Sequence, residues 1–547
     1  MNNGFFEKSK KISNNFLQSI VFIDDKAYSD ANSQNPNHDF DAQKVSMAFA
    51  KEEKVCGIYK PKSKSDINNF KSITKKADII ILDWQIILSD DEIDDPNADA
   101  PSEDPRGQYT IEILKNIVKD NESLKLIVVY TGETDLMEIT NEISENLLVI
   151  NPNFKQDLCE VSSPNIKILV RAKSSVNDDE VDNKFNHLHL NDKIIKYKDL
   201  PLFVLDEFTK MTSGLLSNFA LLSLTTIRDN SNKILSLFSK ELDSAFLSHK
   251  SFLPNTHDAQ DLLLDIMKDS IADLLLYNKT HKLIDKNFIE EWLEININDE
   301  EHPILNGKGK PLNPKETFER DKTNLINLLF SEETRVDKKF NSVFQLLIEN
   351  KEKRDEFLKY LYLNNTSLFL NTTNHENIDQ INKEFAKLTH HKSLFLPQNI
   401  EPKLTLGTIL KSTKRDESYF LCIQQKCDSV RLKNGEERKF LFLPLTITTD
   451  KFDLITPNGI KLKLDKKSFS IRTIKFTCSN DDGVIKGILN DNSKFIFNQI
   501  YSEEHDENFE WVLDLKDLHS QRIVTNFASI LSRIGLDESE WLRRWGN

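Results

Sequence analysis

The sequence predicts a multidomain protein with α/β, α and β parts in chain order: an N-terminal doubly wound domain over residues 1–185, a helical domain over 199–396, and an antiparallel β-rich domain with C-terminal helices over 402–547. Three observations support this prediction. In the first part, short apolar runs alternate with amphipathic stretches, the pattern of a parallel sheet covered on both faces. In the second, apolar residues recur at intervals of three and four, as on helix faces. In the third, apolar and polar residues alternate between polar turns, which is typical of an antiparallel barrel or sandwich.

The N-terminal domain is predicted to contain five strands and four helices. Apolar runs such as ADIIIL and LKLIVVY are typical of strands that are buried on both faces. The amphipathic stretches between the strands have the helical period. The predicted strands are 19–23, 55–59, 77–82, 124–130 and 166–170, and the predicted helices are 41–53, 65–74, 109–119 and 135–146.

The middle of the chain is predicted to be a helical scaffold or a bundle that docks a partner. Gly and Pro interrupt the helical period at 299–314. His390 and His391 end a helical stretch, and neither they nor the later segment HSQR has a companion cluster in the sequence. We therefore expect no metal site there.

The C-terminal part is predicted to be a small antiparallel β domain closed by a helix at 518–534 and a short second helix. Cys422 and Cys427 are five residues apart and lack the second pair of ligands that a zinc site needs. Cys427, Asp428 and Arg431 lie close enough in sequence for a ligand site, with a structural turn as the alternative. No helix-turn-helix signature is present, which argues against a transcription factor.

The composition excludes several classes of protein. A chain of 547 residues exceeds what one hydrophobic core usually serves. A net charge of −15 argues against a broad surface for nucleic acid or anionic lipid. No apolar run reaches the roughly 18 residues of a membrane span, and the N-terminus lacks the apolar segment of a secretion signal. Five cysteines fit reduced thiols better than a disulfide framework. We therefore expect a cytoplasmic protein with no membrane or nucleic-acid partner.

Polar side chains follow four of the five predicted strands. Asp24 and Asp25 follow the first strand, Asp83 the third, Thr131 the fourth and Lys173 the fifth. Ligands of doubly wound sheets bind at the carboxyl ends of the strands, so we expect these side chains to converge. Two adjacent carboxylates need a positive partner, and carboxylate oxygens suit a hard divalent cation. Taken alone, an Asp-Asp pair more often ends a strand and begins a solvated loop.

This ordered set resembles the receiver domain of two-component response regulators, over about the first third of the chain. The resemblance implies a flavodoxin-like fold in which Asp83 is the phosphoacceptor. It also implies that Mg²⁺ is held by Asp24, Asp25 and Asp83 together with the backbone carbonyl of Gln85. These parts suit phosphoryl transfer, which needs a nucleophile and a cation that neutralises charge on the phosphoryl oxygens.

The same resemblance implies that Thr131 hydrogen-bonds the phosphoryl group and that Lys173 pairs with it. Arg171 is a second candidate for the pairing cation, because VRAKSS contains both. Gly107 occupies the place of the glycine that precedes the third helix of the family. No aromatic residue directly precedes Lys173 to act as the usual switch partner of Thr131, so we do not expect the ordinary coupling between the two.

Two insertions distinguish this chain from a compact receiver. Both polar stretches, 28–40 and the acidic 89–106, are predicted to be loops. The second follows Asp83 closely enough to act as a lid, to bind further cation or to slow hydrolysis of an acyl phosphate. A solvated loop is the alternative.

The sequence therefore predicts an atypical response regulator that accepts a phosphoryl group from a histidine kinase onto Asp83, as a phosphoacceptor rather than a turnover enzyme. A large receiver protein without DNA-binding output resembles a phosphate sink in a two-component-like antiviral defence system, and a downstream protein partner is a further expectation. Two alternatives remain open. One is a pseudo-receiver that serves as an unphosphorylated scaffold, and the other is an effector of unknown activity gated by the receiver.

Overall fold

The computed structural model describes most of the chain, in two compact units that we treat separately. The first unit takes its residues from 1–240, 266–296 and 323–332, and the second from 241–265, 297–322 and 333–547. The described residues are 4–28, 40–88, 107–119, 123–173, 191–253, 258–297, 302–305, 311–313, 315, 351–352, 378–392, 401–414, 418–449, 452–467, 470–498 and 508–531.

The first unit is built on an eight-stranded sheet. Five parallel strands form its centre in the order β2, β1, β3, β4, β7, and the antiparallel strands β6 and β5 extend it beyond β7. The short strand β8 also pairs with β7, in parallel. The strands are β1 (Ser19–Ile23), β2 (Val55–Tyr59), β3 (Ile79–Leu82), β4 (Lys125–Thr131), β5 (Lys155–Asp157), β6 (Glu160–Ser162), β7 (Ile166–Lys173) and β8 (Ile194–Ile195).

Helices cover both faces of this sheet. Apolar residues of α3, α4 and α5 pack on one face, and those of α2 and α6 pack on the other, together with residues of α1. Asp41, Ser63 and Asp135 cap α2, α3 and α5 by accepting backbone N–H bonds in the first turn. The helices are α1 (Gly4–Phe16), α2 (Ala42–Lys51), α3 (Lys64–Lys76), α4 (Gln108–Lys119), α5 (Leu136–Leu148) and α6 (Leu200–Thr212).

The predicted doubly wound fold is confirmed, with each predicted strand and helix within three residues of its observed bounds. β3 and β4 are buried along their whole length, which explains their continuous apolar sequences. The sequence analysis missed α1, the β5–β6 hairpin and β8.

The predicted helical middle is also confirmed where the structure describes it. Its helices are α7 (Leu215–Asp229), α8 (Ser231–Leu237), α9 (Asp243–Phe252), α10 (Asp258–Tyr277), α11 (Lys286–Asn296) and α12 (Ile378–His390). The interruption predicted at 299–314 contains the antiparallel pair β9 (His302–Leu305) and β10 (Pro311–Leu312). The predicted helical stretches within 316–350 and 353–377 lie outside the described residues. None of the described helices is both long enough and apolar enough to cross a membrane.

The second unit contains an antiparallel sheet of nine strands, in agreement with the predicted β-rich domain. Its order is β14, β15, β13, β12, β11, β19, β18, β17, with β16 paired to β13. The strands are β11 (Thr408–Ser412), β12 (Tyr419–Cys422), β13 (Glu437–Ile447), β14 (Leu454–Ile455), β15 (Lys461–Leu464), β16 (Arg472–Thr477), β17 (Ile488–Leu489), β18 (Phe495–Asn498) and β19 (Asn508–Asp514).

The predicted closing helix of this unit is α13 (Asp517–Leu531). It packs on one of the two apolar clusters of the sheet through Ile523, Val524 and Phe527. The second predicted C-terminal helix, beyond residue 534, lies outside the described residues.

Candidate functional site

Three carboxylates meet at the carboxyl edge of the parallel sheet. β1 and β3 are neighbours, with Ile23 opposite Leu82, so the residues that follow the two strands are adjacent. One carboxylate oxygen each from Asp24, Asp25 and Asp83 lies within 4.8 Å of the others. The side chain of Asp24 is 0% exposed and that of Asp83 is 5% exposed. The structure therefore brings together the three acids that the sequence selected.

Lys173 is the cation that faces these acids. Its Nζ lies 2.7 Å from Asp24 Oδ2 and 3.0 Å from Asp83 Oδ1, and its side chain is 13% exposed. When all three carboxylates are ionised, these three side chains and Lys173 together carry a net charge of −2. A buried cluster with that excess is costly unless a further cation binds.

Burial and the neighbouring charges perturb the titration of the site. Burial raises the pKa of Asp83 to about 7, Lys173 opposes this shift, and the carboxylate of Asp24 adds to it. Burial also raises the pKa of Asp25, again with a contribution from Asp24. Burial alone would lower the pKa of Lys173, but Asp83 and Asp24 raise it above its usual value. Protonation and cation binding at these carboxylates are therefore coupled.

The donor set fits a hard divalent cation such as Mg²⁺. Asp25 Oδ1 is buried and has no hydrogen-bond partner among the residues that the structure describes, whereas Asp25 Oδ2 accepts a bond of 3.3 Å from the Ile87 N–H. An orphaned carboxylate oxygen beside two further carboxylates is what an oxygen-ligated cation would satisfy. Gln85, the predicted carbonyl ligand, lies two residues beyond Asp83 in the loop that follows β3.

Thr131 ends β4, the neighbour of β3, and is buried. Its hydroxyl accepts a hydrogen bond of 3.0 Å from the Glu133 N–H, which begins the loop after the strand. Thr131, which is predicted to donate a hydrogen bond to the phosphoryl group, thus lies at the same sheet edge as the acids.

Two residues at the start of α4 fix the backbone around Asp83. The Thr110 hydroxyl donates a hydrogen bond of 2.6 Å to the Asp83 carbonyl, a contact that the sequence analysis missed. Gly107 has a φ of +77°, and a Cβ there would collide with the ring of Trp84. Glycine is therefore required for the close packing of the residue that follows Asp83.

The second candidate cation, Arg171, is directed elsewhere. Arg171 and Lys173 are two apart on β7, so they share a face of the strand. The Arg171 NH1 group donates to the carbonyls of Cys159 at 3.0 Å and Val170 at 2.8 Å, and its guanidinium lies 5.3 Å from the Phe203 ring centre. Of the two candidate cations, it is therefore Lys173 that contacts the carboxylate cluster.

The candidate ligand residues of the second unit form a surface turn. Cys422 is buried in β12, while Cys427 is exposed in a 3₁₀ turn over Lys426–Asp428 and contacts Asp428 at 3.7 Å. Arg431 has a φ of +64° and donates a hydrogen bond of 2.6 Å to Asp258. Among the described residues, Asp24, Asp25 and Asp83 are the one His, Cys, Asp or Glu cluster whose ligand atoms are close enough to hold a metal.

His390 and His391 have a companion in space that was not evident from the sequence. The ring centre of His390 lies 5.0 Å from that of His391 and 5.2 Å from that of His519, in the HSQR segment of α13. The Ile455 N–H donates to His390 Nε2 at 3.4 Å, and His391 Nε2 lies 2.7 Å from the Ile455 carbonyl. Burial, His391 and His519 lower the pKa of His390 to about 4. The cluster therefore packs as neutral rings that join α12 and α13 to β14.

Comparison with known proteins supports the resemblance that the sequence suggested. Searches of curated proteins and of solved structures gave no match. Residues 16–178 match the family model described as "Response receiver domain", a range that includes both the acid cluster and Lys173. Residues 16–178 of this chain therefore form a response receiver domain, fused to a larger region.

Proposed function

We propose that this protein is a response regulator that accepts a phosphoryl group from a histidine kinase onto Asp83, at a site that binds Mg²⁺. The observation that carries the proposal is the buried cluster of Asp24, Asp25 and Asp83, which has one orphaned oxygen and one paired lysine within the described part of the chain. A merely structural cluster would be expected to satisfy its buried oxygens within the protein.

In the proposed reaction, a carboxylate oxygen of Asp83 attacks the phosphorus of a phosphohistidine. The bond between phosphorus and the imidazole nitrogen breaks, an acyl phosphate forms on Asp83, and the imidazole leaves with the bonding electrons and takes up a proton. Lys173 and the Trp84 N–H both contact Oδ1 of Asp83, at 3.0 Å each, so we assign the attack to Oδ2. These two donors orient the nucleophile before transfer.

The remaining residues stabilise the negative charge on the phosphoryl oxygens during transfer. Lys173 lies where its ammonium can pair with phosphoryl oxygens bound to Asp83, and Thr131 adds a hydroxyl donor at the same edge. Asp24, Asp25, Asp83 and the Gln85 carbonyl would hold Mg²⁺, which when bound neutralises charge on the phosphoryl oxygens and favours ionised Asp83.

We further propose a cytoplasmic protein whose output does not involve DNA, and which acts as a phosphate sink in a two-component-like antiviral defence system. The support is the combination of an intact acceptor cluster with the absence of a helix-turn-helix signature in the sequence. The sink requires that phosphoryl transfer to Asp83 compete with transfer to another acceptor of the same kinase. Adding the protein to a kinase and that acceptor should lower phosphorylation of the acceptor, and the variant Asp83→Asn should not.

The test of the proposed acceptor is intact mass after incubation with acetyl phosphate and Mg²⁺. We expect one phosphoryl adduct on the native chain and none on Asp83→Asn or with EDTA. Asp157→Asn is the matched control, because it removes an exposed carboxylate of the same domain, in β5. An adduct that persists in Asp83→Asn would place the acceptor elsewhere. No adduct, with no Mg²⁺-dependent rise in melting temperature, would favour the pseudo-receiver.

A further inference from the structure

Lys173 also lies near aromatic rings. Its Nζ lies 5.6 Å from the ring centre of Phe40 and 5.9 Å from that of Tyr130. The ring of Tyr197 packs edge-on against both, at 5.9 Å from Phe40 and 6.0 Å from Tyr130. We call Phe40, Tyr130 and Tyr197 the aromatic wall. The ammonium of Lys173 is therefore attracted both by carboxylates and by ring faces.

The aromatic wall connects the site to β8, a strand that is additional to the five central parallel strands. β8 pairs with the end of β7, with Ile195 opposite Lys173. The Tyr130 hydroxyl donates a hydrogen bond of 2.5 Å to the Ile195 carbonyl, and Tyr130 directly precedes Thr131 in β4. One two-residue strand thus contacts both the lysine and the neighbour of the threonine of the site.

Tyr197 carries this connection into α6. It lies two residues after β8 and three before α6, and the Leu200 N–H at the start of α6 bonds to the carbonyls of Lys196 and Tyr197 at 3.1 and 3.4 Å. Tyr197 is buried in the same apolar cluster as Val204 and Phe208 of α6. Burial raises the pKa of Tyr197 to about 12, Lys173 opposes the shift, and Asp24 adds to it.

Phosphorylation would change the forces on Lys173. A phosphoryl group on Asp83 adds anionic oxygens that attract the ammonium, and a cation bound to Asp24 weakens the pull of that carboxylate on it. The ammonium would then shift from Asp24 toward Asp83, and its position over the rings of the wall would change.

We propose that β8 and Tyr197 form the element that reads the phosphorylation state of Asp83, and that they pass it to α6 through the aromatic wall. The residue usually expected to couple to Thr131 is absent here, since Val170, Arg171 and Ala172 precede Lys173. The wall supplies aromatic contact from a different segment of the chain. This inference rests on the proposed phosphorylation of Asp83.

The test is hydrogen exchange of the full-length protein, with and without acetyl phosphate and Mg²⁺, with the adduct measured by intact mass in the same samples. In the native chain, phosphorylation should change exchange in peptides covering 194–212 by about twofold or more, the smallest factor that corresponds to loss of a cation–π contact. Tyr197→Leu keeps an apolar side chain but removes the ring. We expect Tyr197→Leu to form the adduct on Asp83 but to show no change in exchange at 194–212. Tyr197→Phe keeps the ring and should respond as the native chain does.

Tyr59→Leu is the matched control, because Tyr59 packs on the opposite face of the sheet, 5.6 Å from the Phe70 ring. It should respond as the native chain does. If Tyr197→Leu does not fold, Tyr130→Phe tests the same route by removing only the hydroxyl bond to Ile195, and should reduce the response.

The outcomes separate this inference from the proposed function. An adduct on the native chain with unchanged exchange at 194–212 overturns the readout alone. A response of Tyr197→Leu equal to that of the native chain also overturns it. Absence of any adduct on the native chain rejects the proposed function and the readout together.

Discussion

Replacement of Lys173 by methionine tests the charge balance of the site most directly. Lys173 bridges Asp24 and Asp83 at 2.7 and 3.0 Å, and all three side chains are nearly buried. Removal of one partner from a buried ion pair typically costs about 3–5 kcal/mol, because the other charge is left uncompensated. Methionine keeps a long apolar stem against the aromatic wall. In EDTA we therefore expect Lys173→Met to lower the free energy of unfolding of the first unit by about 3 kcal/mol or more.

Mg²⁺ should recover much of this loss. A ligand that binds only the folded state adds about 2.7 kcal/mol to the free energy of unfolding at 100 times its dissociation constant. Because the variant removes the ammonium that pairs with Asp24 and Asp83, Mg²⁺ should stabilise it more than it stabilises the native chain.

The assay is hydrogen exchange of peptides covering β3 and β4 in EDTA and in saturating Mg²⁺. Lys167→Met is the matched control, since this lysine of β7 pairs with Glu160 and Glu207, both at 3.1 Å, away from the acid cluster. The loss of stability caused by Lys167→Met should be the same in EDTA and in Mg²⁺. The reasoning is refuted if Lys173→Met is within about 1 kcal/mol of the native chain in EDTA, or if Mg²⁺ stabilises both equally.

Three further perturbations have defined outcomes. Asp25→Asn should abolish the Mg²⁺-dependent rise in melting temperature, yet in EDTA at pH 7 be at least as stable as the native chain, because the raised pKa of Asp25 shows that its charge is disfavoured in the fold. Gly107→Ala should lower the free energy of unfolding in urea by about 1–3 kcal/mol, through the Trp84 collision and the positive φ, whereas Gly132→Ala has nothing within 4 Å of the added methyl and should have little effect. The second unit should have full stability above pH 6.5 and lose about 2 kcal/mol as the pH falls toward 4, after allowance for solvent screening, because the folded state holds His390 neutral with a pKa of about 4. Urea titrations of His390→Gln between pH 4.5 and 7.5 should lack this part of the slope, and an unchanged slope would contradict the assignment.

The central sheet and the acid cluster could be predicted because their signals are local. β3 and β4 are continuous apolar runs, as both faces of the sheet are covered, and the polar residue after each run marks its carboxyl end. Neighbouring parallel strands bring such residues together whatever the details of the loops. This is why Asp24, Asp25 and Asp83 could be selected together.

The missed features lack such local signals. β8 has two residues and β5 has three, too few for any period to appear. Arg171 and Lys173 share a face of β7, so alternation could not decide which of them meets the acids. His519 is far from His390 in sequence, and the two meet because α12 and α13 both dock near β14. In each case the deciding information is tertiary.

The position of Lys173 makes the acid cluster and the aromatic wall parts of one equilibrium. The ammonium of Lys173 contacts Asp24, Asp83, Phe40 and Tyr130. If a change at the carboxylates moves the ammonium, its attraction to the rings changes as well. Such coupling is reciprocal in binding free energy. If phosphorylation of Asp83 changes the affinity of β8 or α6 for a partner protein, binding of that partner must in turn shift the phosphorylation equilibrium of Asp83. A partner bound at β8 or α6 would therefore alter how much phosphoryl group Asp83 takes up, which links a protein output to the proposed phosphate sink.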